Sequence, residues 1–208
     1  MRRIGRKARF KRQRRLMTEL PGLGKPGALE RKPYPPGEHG QRRKKFSEYA
    51  LQLEEKQKVV HHYQIREDQM RRMVKEAKRT AQINWVDQLI NLMERRIDNV
   101  VFRLGFASSI RASKQLVSHG KVFVNGKRLS IRSAILDIGD RVTLSEEAYK
   151  NQTYLYSKGS PRLPLPDYLG KETEGEKEIG VLKSQPALGD FPATFDEGLF
   201  TSYYNLKG

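Results

Sequence analysis

Residues 96–106 read RIDNVVFRLGF, and this stretch decides how the rest of the sequence is interpreted. Its apolar residues continue a pattern that begins upstream at Val86 and repeats every three or four residues, as expected for a helix with one buried face. Asn84 can cap this helix and Gly105 can end it, so the pattern predicts a single helix from residue 84 to residue 105. An apolar face about 30 Å long must then be buried.

The residues that follow predict a compact unit of helix and strands. Ser109 can cap a short helix that ends at His119, and Gly120 follows in the position that is often left-handed. Asn125-Gly126 is a strong signal for a β-hairpin. The segments assigned to a small antiparallel sheet are residues 121–124, 127–129, 135–138 and 141–144.

Upstream, the pattern changes twice. A helix is predicted to begin at Phe46, with Ser47 as its N-cap, and a second helical stretch carries Met70, Met73 and Val74 on one side. Before residue 46, prolines and glycines recur through residues 20–40, which predicts an extended, irregular segment.

The last third of the chain has weaker signals. Residues 154–167 are rich in proline, residues 171–178 are predicted to be a charged loop, and residues 178–182 are predicted to be an edge strand. Residues 195–206 are expected to form a helix with an apolar stripe that docks on the protein. The residues of that stripe are Phe195, Leu199, Phe200, Tyr203 and Tyr204.

The formal charge of +17 is distributed unevenly along the 208 residues. Residues 1–45 carry a net charge of +13, residues 46–132 a net +8, and residues 133–208 a net −4. Nine of the first fifteen residues are basic and none is acidic, so this run would repel itself in isolation. The charge therefore predicts a polyanionic partner for the first two thirds, and protein or solvent neighbours for the last third.

Several classes of chemistry are excluded. The chain has no cysteine, and its histidines (His39, His61, His62 and His119) show no metal-ligand spacing, so no metal and no cofactor are expected. No nucleophile motif or phosphate-binding loop is present, and most acidic residues are interleaved with basic ones on predicted helices, so no enzyme is expected. No apolar run approaches the length of a membrane span, and no secretory signal is recognised, so the protein is expected to remain in its compartment of synthesis.

Three kinds of partner or role could account for the basic run. A solvated tail or localisation signal is one, and an acidic membrane surface is a second. Only Ile4, Phe10 and Leu16 interrupt the charges, which is too few for the wide apolar face of a membrane-surface helix. Arg, Lys and helix N-termini recognise the backbone and shape of folded RNA, and no dimeric recognition helix for DNA is apparent. Structured RNA is the favoured partner.

Specific residues carry a family resemblance. Residues 96–106, followed by QLVSHG at 115–120 and VNG at 124–126, closely resemble the small RNA-binding module first described in ribosomal protein S4. Similar modules are attached to pseudouridine synthases, tyrosyl-tRNA synthetases and a heat-shock RNA binder. PGEHG at 36–40 and SEYALQLEEKQKV at 47–59 resemble the ribosomal protein family itself, and the resemblance covers roughly residues 1–150.

The resemblance implies an α+β fold with an extended basic N-terminal arm, a helical domain, and an inserted small RNA-binding module of helices packed on a short antiparallel sheet. The domain boundaries expected are an arm at 1–45, the helical domain at 46–93, the module at 94–158, and an irregular segment at 159–208 whose C-terminal helix packs back on the helical domain.

The function implied is that of a structural constituent of the small ribosomal subunit. It would be a primary binder of small-subunit rRNA at a junction in the 5′ domain, nucleating assembly and contributing to translational accuracy. Ribosomal proteins three and five would be its neighbours, and mRNA would pass nearby where it enters the ribosome. The location implied is the cytoplasm of a bacterium, or the matrix or stroma of an organelle.

The candidate RNA-binding residues combine the basic runs with positions carried over from the resemblance. By that resemblance Arg103 supports the module, while residues of the short helix and hairpin form and flank its RNA face. The full set is Arg2, Arg3, Arg6, Lys7, Arg9, Lys11, Arg12, Arg14, Arg15, Arg42, Arg43, Lys44, Lys45, Tyr49, Gln52, Lys56, Lys58, Arg71, Arg72, Arg103, Arg111, Lys114, Gln115, His119, Lys121, Asn125 and Lys127.

Two alternatives and some departures accompany this interpretation. Arg96-Ile97-Asp98 is similar to the segment around the catalytic aspartate of pseudouridine synthases, but residues 133–208 are too few for a separate catalytic domain. A free RNA chaperone or translational repressor would share the same charge pattern. Some family members carry a cysteine zinc cluster near the start of the chain, which this sequence lacks, and Ile110 occupies a position that is usually Arg.

Overall fold

The computed structural model describes residues 9–23, 26–42, 45–175 and 177–205, with only the backbone of Arg9. The chain divides into two compact units, and the first unit contains both ends of the chain. The units are Met1–Arg66 with Pro192–Gly208, and Glu67–Phe191.

Helices dominate the described residues, and five strands lie between the seventh helix and the last. The helices are α1 (Arg9–Leu16), α2 (Ala28–Arg31), α3 (Glu48–His62), α4 (Glu67–Thr80), α5 (Trp85–Glu94), α6 (Ile97–Arg103), α7 (Ile110–Ser118), α8 (Glu146–Tyr149), α9 (Gln152–Gly159) and α10 (Glu197–Asn205). Short 3-10 turns lie at Pro21–Leu23 and Leu188–Asp190. The strands are β1 (Val122–Val124), β2 (Lys127–Leu129), β3 (Arg141–Leu144), β4 (Leu169–Glu174) and β5 (Lys177–Leu182). The α+β fold class predicted from the sequence is confirmed.

The N-terminal segment contains more local structure than the sequence suggested. Residues 9–16 form α1, and three leucines, Leu16, Leu20 and Leu23, are at most 5% exposed and form a small apolar cluster with Ala193. Gln64 donates a hydrogen bond to the carbonyl of Gly22, which joins this segment to the end of α3. The prolines and glycines prevent a long helix, but the buried leucines are sufficient to fold the segment against α3.

The C-terminal helix α10 lies on α3 within the same unit. The rings of Tyr49 and Tyr203 are 6.0 Å apart between centroids, and the backbone N–H of Asp196 donates to Glu55 at 3.1 Å. Phe200 is fully buried, and Tyr203 is 3% exposed. The apolar stripe of the C-terminal segment is therefore covered by the first long helix of the chain.

The imidazole of His61 on α3 lies in a basic environment. Burial lowers its pKa from 6.5 to about 4, and the charges of Arg12, Lys56 and Arg15 act in the same direction. The folded first unit therefore contains a neutral histidine beside α1 at pH 7.

In the second unit, the prediction of a single helix over residues 84–105 is wrong, because the helix is interrupted between α5 and α6. Arg96 has extended backbone angles (φ −64°, ψ 135°), and the two backbone groups beside it bond to another segment. The N–H of Ile97 donates to Ala134 and the carbonyl of Arg95 accepts from Leu136, both at 2.9 Å. These bonds replace helical ones and turn α6 away from α5.

The same bonds explain why no regular strand forms at residues 135–138, where one was predicted. Ile135 makes a single antiparallel bridge to Arg96 and the segment continues as a loop. The backbone of residues 134 and 136 is instead hydrogen-bonded to the residues that connect α5 and α6.

The sheet has the order β2-β1-β3-β5-β4, and every neighbouring pair is antiparallel. Residues 171–178 were predicted to be a charged loop, but residues 171–174 belong to β4 and residues 177 and 178 begin β5. Strand β5 lies inside the sheet and not at its edge. Gly180 on β5 permits close packing, since a Cβ there would lie 2.1 Å from Cδ1 of Leu104, the residue that follows α6. The core of the module lies between α6, α7 and this sheet.

A buried carboxylate connects distant parts of the second unit. Glu94 is completely buried, and its Oε2 accepts from Asn99 Nδ2 at 2.7 Å, from Arg103 Nε at 3.1 Å and from the hydroxyl of Tyr168. Arg103 also donates to the carbonyl of Asp190. One carboxylate therefore joins α5, α6, the start of β4 and the segment before the chain returns to the first unit.

No helix in the described ranges is long and apolar enough to cross a membrane.

We expect the substitution Glu94→Gln to lower the free energy of unfolding by about 3–5 kcal/mol, because Arg103 would be left as a buried charge without its partner. Tyr168→Phe should cost less, about 1–3 kcal/mol, since it removes the hydrogen bonds of one hydroxyl, to Glu94 and from Arg103, and leaves the ion pair intact. Urea unfolding of each variant measures both values. The exposed pair Glu76–Arg79 provides a control, and Glu76→Gln should have little effect on stability because solvent screens this pair. Equal losses for the two Glu variants would contradict the proposed role of Glu94.

His61 should make the protein less stable in acid. Its folded pKa of about 4 lies below the unfolded value of 6.5, so the unfolded chain binds a proton first as the pH falls. The neutral imidazole of His61 therefore makes its full contribution to folding stability above about pH 6.5, and that contribution is lost progressively as the pH falls towards 4. Urea unfolding between pH 7 and pH 4 should show a shallower loss in His61→Gln than in the unmodified protein. Parallel curves would show that His61 titrates normally.

Candidate RNA interface

Helix α7 presents a polar face to solvent. The hydroxyl of Ser109 accepts a hydrogen bond from the N–H of Ala112 at 3.2 Å and starts the helix. Ile110, Ser113 and Val117 are buried on its inner side. The side chains that remain exposed on α7 and its cap are Arg111, Gln115, Ser118 and His119.

The position of α7 is set by residues of α6. The hydroxyl of Ser113 donates to the backbone carbonyl of Asp98. The carboxylate of Asp98, 1% exposed, accepts two hydrogen bonds from Arg96, at 3.0 and 2.7 Å. The exposed face of α7 therefore rests on a buried, charge-paired support.

Lys114 is directed into that support and not outward as expected. Its Nζ lies 3.6 Å from Asp98 Oδ2, and its side chain is 15% exposed. Burial lowers the pKa of Lys114 to about 8, opposed by the attraction of Asp98 and assisted by repulsion from Arg96 and Arg132. Lys114 therefore helps to hold α7, and the predicted outward role does not match this geometry.

The β1–β2 hairpin places further polar groups at the surface of the module. Asn125 and Gly126 both have positive φ, 50° and 76°, as a tight two-residue turn requires. The amide of Asn125 donates to Asp140 at 2.7 Å, and its oxygen accepts the N–H of Arg141 at 2.9 Å. Asn125 thus shapes the hairpin, whereas Lys127 remains exposed.

Arg128 belongs to this surface, although sequence reasoning missed it. It donates to the carbonyl of His119 at 3.4 Å and lies over Gly120, where a Cβ would be 2.0 Å from its Nε. Gly120 has φ 64°, a left-handed conformation that favours glycine, while the nearby end of the flexible Arg128 side chain could move aside. Its position beside Lys127 in the charged second strand of the hairpin was a signal that could have identified it.

The cations of the module fall into two groups. Arg141 is 3.0 Å from both Glu172 and Glu174, and Lys121 is paired with Glu147. Other pairs join Lys177 to Glu146, and Lys158 and Lys171 to Glu178. Within the residues described, by contrast, Arg111, Lys127 and Arg128 have no carboxylate at ion-pair distance. Cations neutralised in this way are poor phosphate ligands, while Arg111, Lys127 and Arg128 are available.

Arg103, one of the predicted RNA-binding residues, is buried in the structure. It is 5% exposed and its guanidinium is bound by Glu94, so it supports the module from inside.

On α4, Arg71 pairs with Glu67 at 3.4 Å. Arg72 and Lys75 are exposed, and neither has a carboxylate partner among the described residues; Lys75 was not predicted.

In the first unit the predicted residues also divide into exposed and buried groups. Gln52, Lys56 and Lys58 are at most 8% exposed, so the proposed surface does not include them. Lys58 pairs with Glu55, and Lys56 lies over the ring of Tyr203. The residues that remain partly or fully exposed are Lys11, Arg12, Arg14, Arg15, Arg42, Lys45 and Tyr49.

Some predicted residues lie outside the described part of the chain. These are Arg2, Arg3, Arg6, Lys7, Arg43 and Lys44, together with the side chain of Arg9.

No group of three or more His, Asp or Glu residues that could hold a metal ion occurs in the part of the chain that the structure describes. The chemistry of the module surface is that of hydrogen-bond donors and cations, supplied by side chains on a rigid support.

Comparison with protein families divides the chain at the α5–α6 break. Residues 1–94 match the ribosomal protein S4/S9 N-terminal domain, and residues 95–142 match the S4 domain. The boundary coincides with Arg95 and Arg96, where the helix is interrupted.

Individual relatives match over most of the chain. The small ribosomal subunit protein uS4B of Bdellovibrio bacteriovorus is 58% identical over the full length of both chains. Protein uS4A of the same organism is 39% identical, and uS4 of Magnetococcus marinus is 40% identical, each over 86% of this chain and 85% of its own. These relatives are structural ribosomal proteins and not enzymes. The chain therefore belongs to the uS4 family of small ribosomal subunit proteins, with an S4 RNA-binding domain at its centre.

Proposed function

We propose that the protein is a primary rRNA-binding constituent of the small ribosomal subunit that binds a junction in the 5′ domain and nucleates assembly there. Its residues 1–132 carry a net charge of +21, which suits a large RNA partner. It acts by binding and not by catalysis. In the assembled ribosome it contributes to translational accuracy and to the site where mRNA enters.

The observation that carries this proposal is the presence on α7 and β2 of exposed cations that have no carboxylate at ion-pair distance among the described residues. Arg111, Lys127 and Arg128 are exposed on α7 and β2, whereas Arg141, Lys158 and Lys177 are paired with glutamates. Folded RNA is recognised largely through phosphates and hydroxyls, which require cations and donors that are not already engaged. The α7–β2 side is therefore the RNA face.

The acidic last third supports protein neighbours for the other side. The charges on β4 and β5 are balanced in pairs, so this side neither repels nor strongly attracts RNA. We infer that neighbouring small-subunit proteins, three and five, lie against the C-terminal part of the chain. The site of action is the ribosome, in the cytoplasm or in the matrix or stroma of an organelle.

The buried state of Asp98 argues against the pseudouridine synthase alternative. Asp98 is 1% exposed and both carboxylate oxygens are bound by Arg96, so it cannot approach a nucleotide. The residues Arg96 and Asp98, which resemble that family's catalytic segment, form a buried ion pair in this structure.

Affinity for small-subunit rRNA should fall steeply with salt, and two arginines of the module should differ in their effect. Each phosphate contact contributes about 0.7–0.9 to the slope of log affinity against log salt concentration. We expect Arg111→Gln to reduce the magnitude of this slope by nearly the contribution of one phosphate contact. Arg141→Gln is the matched control, since its guanidinium is held by two glutamates and its loss should leave the slope unchanged. Filter binding at several salt concentrations measures both.

A flat salt response in the unmodified protein would contradict the electrostatic proposal, and a larger effect of Arg141→Gln would place the RNA on the opposite side of the module.

Sedimentation tests the ribosomal assignment in the cell. On a sucrose gradient of cell lysate, the protein should migrate with small ribosomal subunits. If it remains at the top of the gradient, the proposed structural role is wrong.

A further inference from the structure

A groove of about 380 Å³ opens beside the exposed face of α7. It is bounded by α7 on one side and by α8 and the start of α9 on the other, so it lies wholly within the module. Two residues of the predicted RNA face, Gln115 and His119, line it. The RNA face is therefore not flat, because part of it is a cleft of a size suited to a small organic group.

The lining of the groove combines an apolar interior with polar edges. Ala112, Leu116 and Ala148 are buried or half-buried and belong to the margin of the module's core. Asn151 and Thr153 are exposed and, with Gln115, provide amide and hydroxyl groups. Apolar contact with a few polar groups is the composition expected for a site that binds a flat heterocycle.

The charges around the groove disfavour a phosphate inside it. Its lysine, Lys121, is already paired with Glu147, which also lines the groove. The available cation is Arg111, which lies one helical turn before Gln115 on α7. A phosphate would be attracted to Arg111, outside the groove, and an uncharged group would be left to enter it.

We propose that this groove binds a single unstacked base of the RNA, while Arg111 contacts the adjoining phosphate. Sequence-selective recognition of RNA depends on bases that leave the stack and are contacted by side chains. The inference rests on the proposed function and adds the chemical class of ligand at this site, a nucleobase.

The direct test uses nuclear magnetic resonance of the full-length labelled protein with the four nucleoside 5′-monophosphates as probes. Ribose 5-phosphate is the control, because it has the sugar and phosphate but no base. We expect at least one nucleotide to shift the side-chain amide signals of Gln115 and Asn151 and the methyl signals of Leu116. Ribose 5-phosphate should leave them unchanged. Equal shifts with ribose 5-phosphate, or none with any nucleotide, would overturn the proposal.

Filling the groove tests its role in RNA binding. Ala112→Leu should weaken binding to small-subunit rRNA about tenfold, because the larger side chain would exclude the base from the groove, and it should abolish the nucleotide shifts. Thr153→Leu fills the groove from the α9 side and serves if Ala112→Leu proves unfolded in a thermal melt. Arg141→Gln is the matched control, since Arg141 is paired with two glutamates and does not line the groove, and it should keep both the nucleotide shifts and the rRNA affinity.

The outcomes separate this inference from the proposed function. If the unmodified protein does not bind small-subunit rRNA, the proposed function fails. If it binds, but folded Ala112→Leu and Thr153→Leu bind equally well, the groove is not a base site and only this inference fails. If filling the groove released a bound protein partner, and no nucleotide shifted the signals of the groove residues, the groove would be a protein contact. That result would also overturn this inference.

Discussion

The buried carboxylate of Glu94 is the interaction on which the second unit depends. It receives donors from Asn99, Arg103 and Tyr168, which come from two parts of the chain more than sixty residues apart. A buried carboxylate is costly unless it is fully paired, so the three donors must converge for the fold to be stable. That requirement fixes α6 relative to α5 and β4, and α6 in turn supports α7. The candidate RNA face is thus positioned by a charge that never meets solvent.

The same physical rule sorts the basic residues of the module by function. A cation paired with a carboxylate holds structure, as Arg96, Arg103 and Lys114 do inside the protein. A cation without such a partner, such as Arg111, can neutralise a phosphate. A count of the module's basic residues therefore overstates its capacity for RNA, because several of them are paired inside the protein. Binding depends on the cations that the fold leaves exposed.

Much of the architecture was predictable from local pattern. The hairpin at Asn125-Gly126, the Ser47 and Ser109 caps, and the apolar stripe of the C-terminal segment all follow from short-range physics, and each is present. The predictions that failed involve contacts distant in sequence. The break at Arg96 requires the backbone of residues 134–136, and the strand at Leu169–Glu174 is stabilised by pairing with β5 despite its charged composition. Period and propensity do not contain that information.

The sequence alone determined the class of partner and the family. Charge, the absence of cysteine, and the motifs around residues 96–126 predicted an RNA-binding ribosomal protein. Composition and local motifs can be recognised in a sequence without knowledge of its fold. Only the tertiary structure decided which predicted residues face outward. Gln115 and Lys114 are adjacent on the same helix, yet Gln115 borders an open groove and Lys114 contacts buried Asp98. The direction of a side chain depends on what the fold packs against each face of its helix, which the one-dimensional pattern could only approximate.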